Sequence, residues 1–343
     1  MTDRGLVVVG DTFFAGDPSA RASWRLAVLM GANARTYKFA LGDALLDLAG
    51  QGREEVTLAE LAVPYAMGMV RHLTDAPQAP VNVALGNADF LAVARREAAE
   101  SLAGGRPTEK LSKAAQRSMP TMVMEKFHNL RGVPGVPHRF YELKRDGHHR
   151  TVVLTPELRR IAMSEQGVLL RGELNARWSI VESSFAAGVG RGVVQAGMSV
   201  DLAQEFLIDK RRRRPVTRVS AALIGFQHGR CLICNELIVP VGEAVVDHVF
   251  PYAMMRRFES VGNWHGPDLD ALWNLAPAHR PCNSAKTDTP PGRKLLTRLA
   301  LRNEAIMRSP EPLRQTLRLS LGRALGDGSA NSWNQIFNEI KAL

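Results

Sequence analysis

All three cysteines of this 343-residue chain fall between positions 231 and 282, and they come in two short, equally spaced pairs with a histidine. Cys231-Leu-Ile-Cys234 is the first knuckle, and His279-Arg-Pro-Cys282 is the second. Two such pairs can close a tetrahedral Cys3His site, for which a structural Zn2+ is the expected ion. Asn235 and Glu236, directly after the first knuckle, suit a tight turn. Two other readings remain for the same residues. They could be small buried side chains without metal. A redox pair would need a thioredoxin-like strand and helix around Cys231 and Cys234, and the flanking sequence has none. So few cysteines exclude a disulfide scaffold.

Further polar groups lie between and just after the knuckles. Val245-Val246-Asp247-His248-Val249-Phe250-Pro251 reads as a strand carrying an acid and an imidazole side by side. Neighbours on a strand point to opposite faces, so Asp247 and His248 need a twist, bulge or strand end to share one site. Asn274 follows a polar insertion, and Asn283 and Lys286 lie three apart on one side of an expected helix. Asp247 and Asn283 offer hard oxygen ligands suited to Mg2+. His248 can take a proton from water near neutral pH. Together these residues suggest metal-assisted hydrolysis of a phosphate ester. The competing reading is an Asp and a His that cap local backbone groups at a strand end.

The segment from about 228 to 300 resembles the zinc-supported branch of the HNH nuclease family, also called the ββα-metal or His-Me finger fold. The residues that carry the resemblance are Cys231-x2-Cys234, Val246 to Pro251, and Asn274-Leu275-Ala276-Pro277-Ala278-His279-Arg280-x-Cys282-Asn283-x2-Lys286-x-Asp288. The resemblance implies that Asp247 ligates a catalytic ion, His248 activates water and Asn274 braces the loop that holds His248. It implies that Asn283 completes the site of that ion, Mg2+ first, with Mn2+ or Ni2+ as alternatives. Lys286 is expected near nucleic-acid phosphates. Arg280 and the run Lys210, Arg211, Arg212, Arg213 and Arg214 are the other expected phosphate contacts. DNA is the implied substrate ahead of RNA. Two features depart from the family pattern. The second knuckle begins with His instead of Cys, which tetrahedral zinc accepts. The stretch between His248 and Asn274 is longer than in minimal forms, so residues 250–271, including His265, are expected to loop out. The upstream region, with its TYKFAL helix and Arg177-Trp178, is loosely similar to bacterial proteins carrying a C-terminal HNH domain. That similarity assigns no particular role; by analogy with the nuclease family, restriction or antiphage defence is the first expectation, with repair or a mobile element behind it. The alternative is a zinc-containing nucleic-acid-binding module without catalysis.

Charge points to a polyanionic partner, though on charge alone a basic soluble enzyme with no nucleic-acid role fits as well. The formal net charge is +10, and from Glu205 onward 20 basic residues face 13 acidic ones, against 24 and 21 before it. At 45% hydrophobic and 23% charged residues, the chain is expected to be globular, which excludes disorder throughout. No apolar run approaches a membrane span, and the first residues lack the pattern of a signal peptide, so a cytoplasmic protein is expected.

The expected fold is α+β. Residues 1–215 should be a mainly helical recognition or assembly region, with homodimer formation among its tasks. Residues 216–300 should form the ββα-metal domain, and 301–343 should form C-terminal helices. Within the first region, Thr36 to Leu48 has helical spacing and ends at Gly50. Thr57 with Glu60 reads as a capping box for a helix to about His72, in which Pro64 is a candidate kink. Asn87 or Asp89 caps a helix to Ala103, and 108–129 is helical. Residues 137–155 read as a hairpin around Asp146-Gly147, with His148 and His149 in a solvated turn. A helix is expected from Asn175 to Ala187, then a glycine-rich break without phosphate-loop order. Lys210 to Arg214 reads as a linker or exposed helix end. Arg298, Arg302, Arg314, Arg318 and Arg323 recur along the last helices, and two readings stay open for them: nucleic-acid backbone contact, or packing with solvated tips.

Overall fold

The computed structural model describes residues 18–31, 33–130, 135–146, 149–186, 198–201, 206–209, 214–239, 244–251, 253–254, 267–309, 313–321 and 330–342. They form an α+β protein in which helices predominate and the described sheets have two or three strands. The chain divides into two compact units, Met1–Gly190 and Arg191–Leu343. The strands between 198 and 209, upstream of the boundary expected near 215, therefore fall in the second unit.

The first unit is a helical bundle with one small sheet. Its helices are α1 (Ala20–Met30), α2 (Tyr37–Gly50), α3 (Leu58–Asp75), α4 (Phe90–Ala103), α5 (Glu109–Met122), α6 (Pro156–Ala162) and α7 (Gly167–Ala186). Side-chain caps start most of them. In the capping box of α3, Thr57 Oγ1 accepts from the Glu60 N–H at 3.1 Å while Glu60 Oε2 accepts from the Thr57 N–H at 2.7 Å. Asp89 Oδ1 caps α4 through the Leu91 N–H at 2.9 Å. Helix α3 continues through Pro64 to Asp75. Strands β1 (Glu55–Thr57), β2 (Tyr141–Asp146) and β3 (His149–Leu154) form an antiparallel sheet in the order β1-β3-β2. The expected hairpin is thus present, and β1 adds an edge to it. Gly147 and His148 lie outside the described residues.

Helix α7 starts well before the expected Asn175. Its polar residues hid it. Glu173 is buried and pairs with Arg25, whose Nε and Nη2 each donate to the carboxylate at 2.8 Å. A helix with partnered charges on its covered side shows little apolar periodicity.

The second unit begins with β4 (Met198–Asp201), β5 (Phe206–Asp209) and β6 (Arg214–Arg218), an antiparallel sheet in that order. Arg214 opens β6 instead of ending a linker or helix. Pro215 is tolerated there because β6 is an edge strand of this sheet. The glycine-rich stretch 187–197 and Lys210, Arg211, Arg212 and Arg213 lie outside the described residues. Helix α8 (Val219–Ile224) leads into the first knuckle. Strands β7 (Ala244–His248) and β8 (Leu275–His279) then pair antiparallel, from Ala244 opposite His279 to His248 opposite Leu275. Helix α9 (Arg280–Lys286) follows β8 without a break. Among the described residues, helices α10 (Arg293–Arg308), α11 (Leu313–Leu321) and α12 (Ala330–Ala342) follow.

Helix α10 runs through residue 300, where the central domain was expected to end. Arg302 is buried, and its Nη1 and Nη2 donate to the carbonyls of Leu275 and Trp273 at 2.8 and 2.9 Å. Asn303 Nδ2 donates to the Trp273 carbonyl as well, at 3.0 Å. Below this clamp Phe250, Trp273, Trp333 and Phe337 form one aromatic cluster, all buried. Burying each such ring stabilises by roughly 1.5–3 kcal/mol. The C-terminal helices are therefore part of the support beneath β7 and β8.

Candidate functional site

Two groups of side chains meet around the β7, β8 and α9 arrangement. The first is the knuckle quartet. The ligand atoms of Cys231, Cys234, His279 and Cys282 all lie within 4.8 Å of one another. A zinc tetrahedron with sulfur bonds of about 2.3 Å needs edges of roughly 3.8 Å, so a small closure completes it.

Local backbone geometry explains why these four converge. Asn235 adopts a left-handed φ of 69°, which Asn tolerates better than most residues, and the Asn235 N–H donates to the Cys231 carbonyl at 2.9 Å. This turns the chain sharply after Cys234. Backbone N–H groups also point at sulfur. Those of His279 and Glu236 donate to Cys231 Sγ at 3.4 Å and Cys234 Sγ at 3.5 Å. His279 sits at the end of β8, with its Nε2 at 3.2 Å from the Leu237 carbonyl and its Nδ1 at 3.4 Å from Cys234 Sγ. The carbonyl can only accept, so Nε2 carries the proton and Nδ1 presents its lone pair to the sulfurs. Arg298, on α10, donates to the carbonyls of Leu232 (3.0 Å) and Ile233 and fastens the knuckle from behind.

The thiols respond to this crowding in opposite ways. Burial opposes ionisation of Cys231, but N–H groups of Cys234, His279 and Ile233 outweigh it and hold the thiol below its ordinary value. Cys282 is pushed up to about 11, first by desolvation and then by Cys234 and Cys231. A thiophilic cation relieves that repulsion by taking the sulfurs as thiolates. Donor set, spacing and tautomer all fit a metal such as zinc.

The second group lines an open pocket beside the quartet. Asp247, His248, Asn283 and Lys286 share it with Leu232, Ile233 and Leu295. His248 is the last residue of β7, and the strand end is what lets it share a pocket with Asp247. Beyond it the Val249 N–H donates to the Asn274 carbonyl at 2.8 Å. Asn274 is fully buried. Its Oδ1 accepts from the Phe250 N–H at 2.8 Å, and its Nδ2 donates to the carbonyls of Phe250 and Leu269 at 2.9 and 2.8 Å. Asn274 thus ties the segment after His248 to the loop before β8.

Two residues behave in ways their spacing did not reveal. Lys286 points inward, with 9% of its side chain exposed, and Nζ donates to Asp247 Oδ2 at 2.9 Å and to the His248 carbonyl at 2.6 Å. Asp270, in the polar insertion, lies with Oδ1 at 2.9 Å from His248 Nε2. No sequence signal marked Asp270, because 22 residues separate it from His248 and the intervening chain has no regular period. Asn283 Oδ1 is shielded from solvent and has no hydrogen-bond partner among the described residues.

Of the expected phosphate contacts, Arg280 is exposed at the start of α9. Arg298 and Arg302 hold backbone carbonyls, while Arg318 is exposed. Arg323 and most of the expected loop 250–271, including His265, lie outside the described residues. No described helix is long and apolar enough to cross a membrane.

Comparison of the chain with protein-family models, curated proteins and solved structures returns no match.

Proposed function

We propose that the second unit is a metal-dependent nuclease of the HNH, or ββα-metal, type, built on a structural zinc and acting on DNA. The observation that carries this reading is the shared pocket of Asp247, His248, Asn283 and Lys286, with the shielded Asn283 oxygen lacking a partner among the described residues. A buried acceptor without a donor costs about 1–3 kcal/mol, and an ion would remove that cost. The basic excess after Glu205 favours a polyanionic substrate.

Asp247 and Asn283 would hold a hard divalent ion such as Mg2+, which supplies charge stabilisation at the phosphate oxygens. His248 takes a proton from the attacking water while the water oxygen bonds to phosphorus. The bond to the 3′ oxygen breaks, and that oxygen gains a proton from solvent. The products are a 5′-phosphate and a 3′-hydroxyl. Asn274 keeps His248 in place, and Lys286 holds Asp247 against the α9 end. Restriction of foreign DNA is the biological setting that best suits such an activity.

One observation favours a second reading, a zinc-containing module that binds nucleic acid without cutting it. Lys286 already pairs with the Asp247 carboxylate, so that charge is balanced without an ion. The deciding experiment incubates purified zinc-loaded protein with plasmid, single-stranded DNA and RNA under Mg2+ or Mn2+. Cleavage that EDTA stops and added Mg2+ restores supports the nuclease. Binding without cleavage under every ion supports the module.

A further inference from the structure

We propose that Asp270 is a positioning residue for His248, holding its ring in one orientation and in the tautomer that carries its proton on Nε2. The proposal rests on the reading of His248 as the general base and adds a residue to that site. Its basis is geometric: Asp270 Oδ1 lies 2.9 Å from His248 Nε2. An ionised carboxylate only accepts, so this contact places the proton on Nε2 and the basic lone pair on Nδ1.

A contact from a surface loop matters only if the loop is held. Three bonds hold this one. Trp273 Nε1 donates to the Asp268 carbonyl at 2.9 Å, Asn274 Nδ2 donates to the Leu269 carbonyl at 2.8 Å, and the Asn274 N–H donates to the Ala271 carbonyl at 2.9 Å. Asp268 Oδ1 also accepts from the Asp270 N–H at 2.8 Å and shapes the turn that presents the carboxylate. The anchors themselves are deep, since Trp273 and Asn274 are fully buried and the carbonyl and ring of Trp273 contact α10 and α12. The same Asn274 side chain pins the segment after His248. Both partners of the pair are therefore fixed by one asparagine. The Asp270 side chain is 41% exposed, so replacing it should leave the core intact.

The test compares wild type with Asp270→Asn and Asp270→Glu in the full zinc-loaded chain. Zinc content and thermal unfolding should match wild type in both variants. Nitrogen-15 NMR of the imidazole groups, with His248 assigned by its loss in His248→Ala, should show an Nε2–H tautomer in wild type. In Asp270→Asn the amide can donate to Nε2, and the Nδ1–H tautomer should appear. Cleavage should fall about 10–100-fold in kcat with KM for DNA little changed, as for other groups that orient a working histidine. Asp270→Glu should keep the wild-type tautomer and recover part of kcat. An Nδ1–H tautomer in wild type, or an unchanged tautomer and kcat in Asp270→Asn, would overturn the proposal. If wild type cuts nothing, the nuclease reading fails by itself. The tautomer then still decides whether Asp270 orients the ring.

Discussion

Each unit contains a histidine paired with a carboxylate, and the two pairs have opposite surroundings. In the first unit His72 Nδ1 lies 2.7 Å from Glu182 Oε1, with its ring stacked flat on Trp178 at 3.6 Å between centroids. Gln78 closes that network: its Nε2 donates to Glu182 and to the Ala76 carbonyl, and its Oε1 accepts from Thr36 and Trp178. Every polar atom of the Gln78 side chain is used. In the second unit His248 Nε2 lies 2.9 Å from Asp270 Oδ1, but His248 opens onto a pocket holding Asp247, Lys286 and an Asn283 oxygen without a partner among the described residues. A histidine–carboxylate pair is thus not a site in itself. Polar groups that complete each other hold a fold together, and the site proposed at His248 rests instead on polar groups that converge in an open pocket.

The contrast can be broken most forcefully at the knuckles. Purified protein should carry about one equivalent of zinc, as a single tetrahedral site requires. Cys231→Ser should lose it, and the second unit should lose its cooperative unfolding. Apparent zinc ligation in small domains is worth about 10–16 kcal/mol, and much of that is folding free energy. The first unit should melt as before. Calorimetry beside metal analysis checks this, and a metal-free second unit with an unchanged transition would refute it.

Next come the two histidines. His248→Ala should lower cleavage by about 10²–10⁴-fold, the usual range for a lost general base, with unfolding unchanged. His72→Ala should do the reverse. It leaves Glu182 short of a partner, costs the first unit about 1–3 kcal/mol and spares cleavage. Equal effects of both variants on both readouts would erase the distinction.

Acid should separate the units further. His128 is buried, and its Nε2 accepts from the Phe140 N–H at 3.0 Å, so the fold needs the ring neutral. Desolvation, with Arg139 and Lys38 nearby, lowers its pKa to about 4 from an ordinary 6.5. As pH falls below 6.5 the unfolded chain takes up the proton and the folded chain does not. Stability should therefore decline from about pH 6.5 and level off near 4, by on the order of 3 kcal/mol. His128→Gln should flatten this slope in denaturant titrations of the first unit. The smallest effect belongs to the exposed capping box, where Thr57→Ala should cost about 1 kcal/mol and leave zinc content untouched.

Residue order alone revealed what depends on short spacing. The two knuckles, the Asp247-His248 strand and the Thr57–Glu60 box were all legible, because each is made by residues a few positions apart, and the structure chose Asp89 over Asn87 as the cap of α4. The rest needed the tertiary structure. Helix α7 begins at Gly167, ahead of the expected Asn175, and within that earlier stretch Glu173 is neutralised by Arg25 from another helix. Arg298 and Arg302 had the spacing of a basic surface, yet both reach backbone carbonyls of the site's own scaffold. Lys286 turned inward to Asp247, and Asp270 met His248 from a stretch without pattern. A charged side chain carries no mark of its eventual partner, since the partner comes from wherever the chain folds back. Spacing tells which residues can share an element, and packing decides which elements, and so which charges, meet.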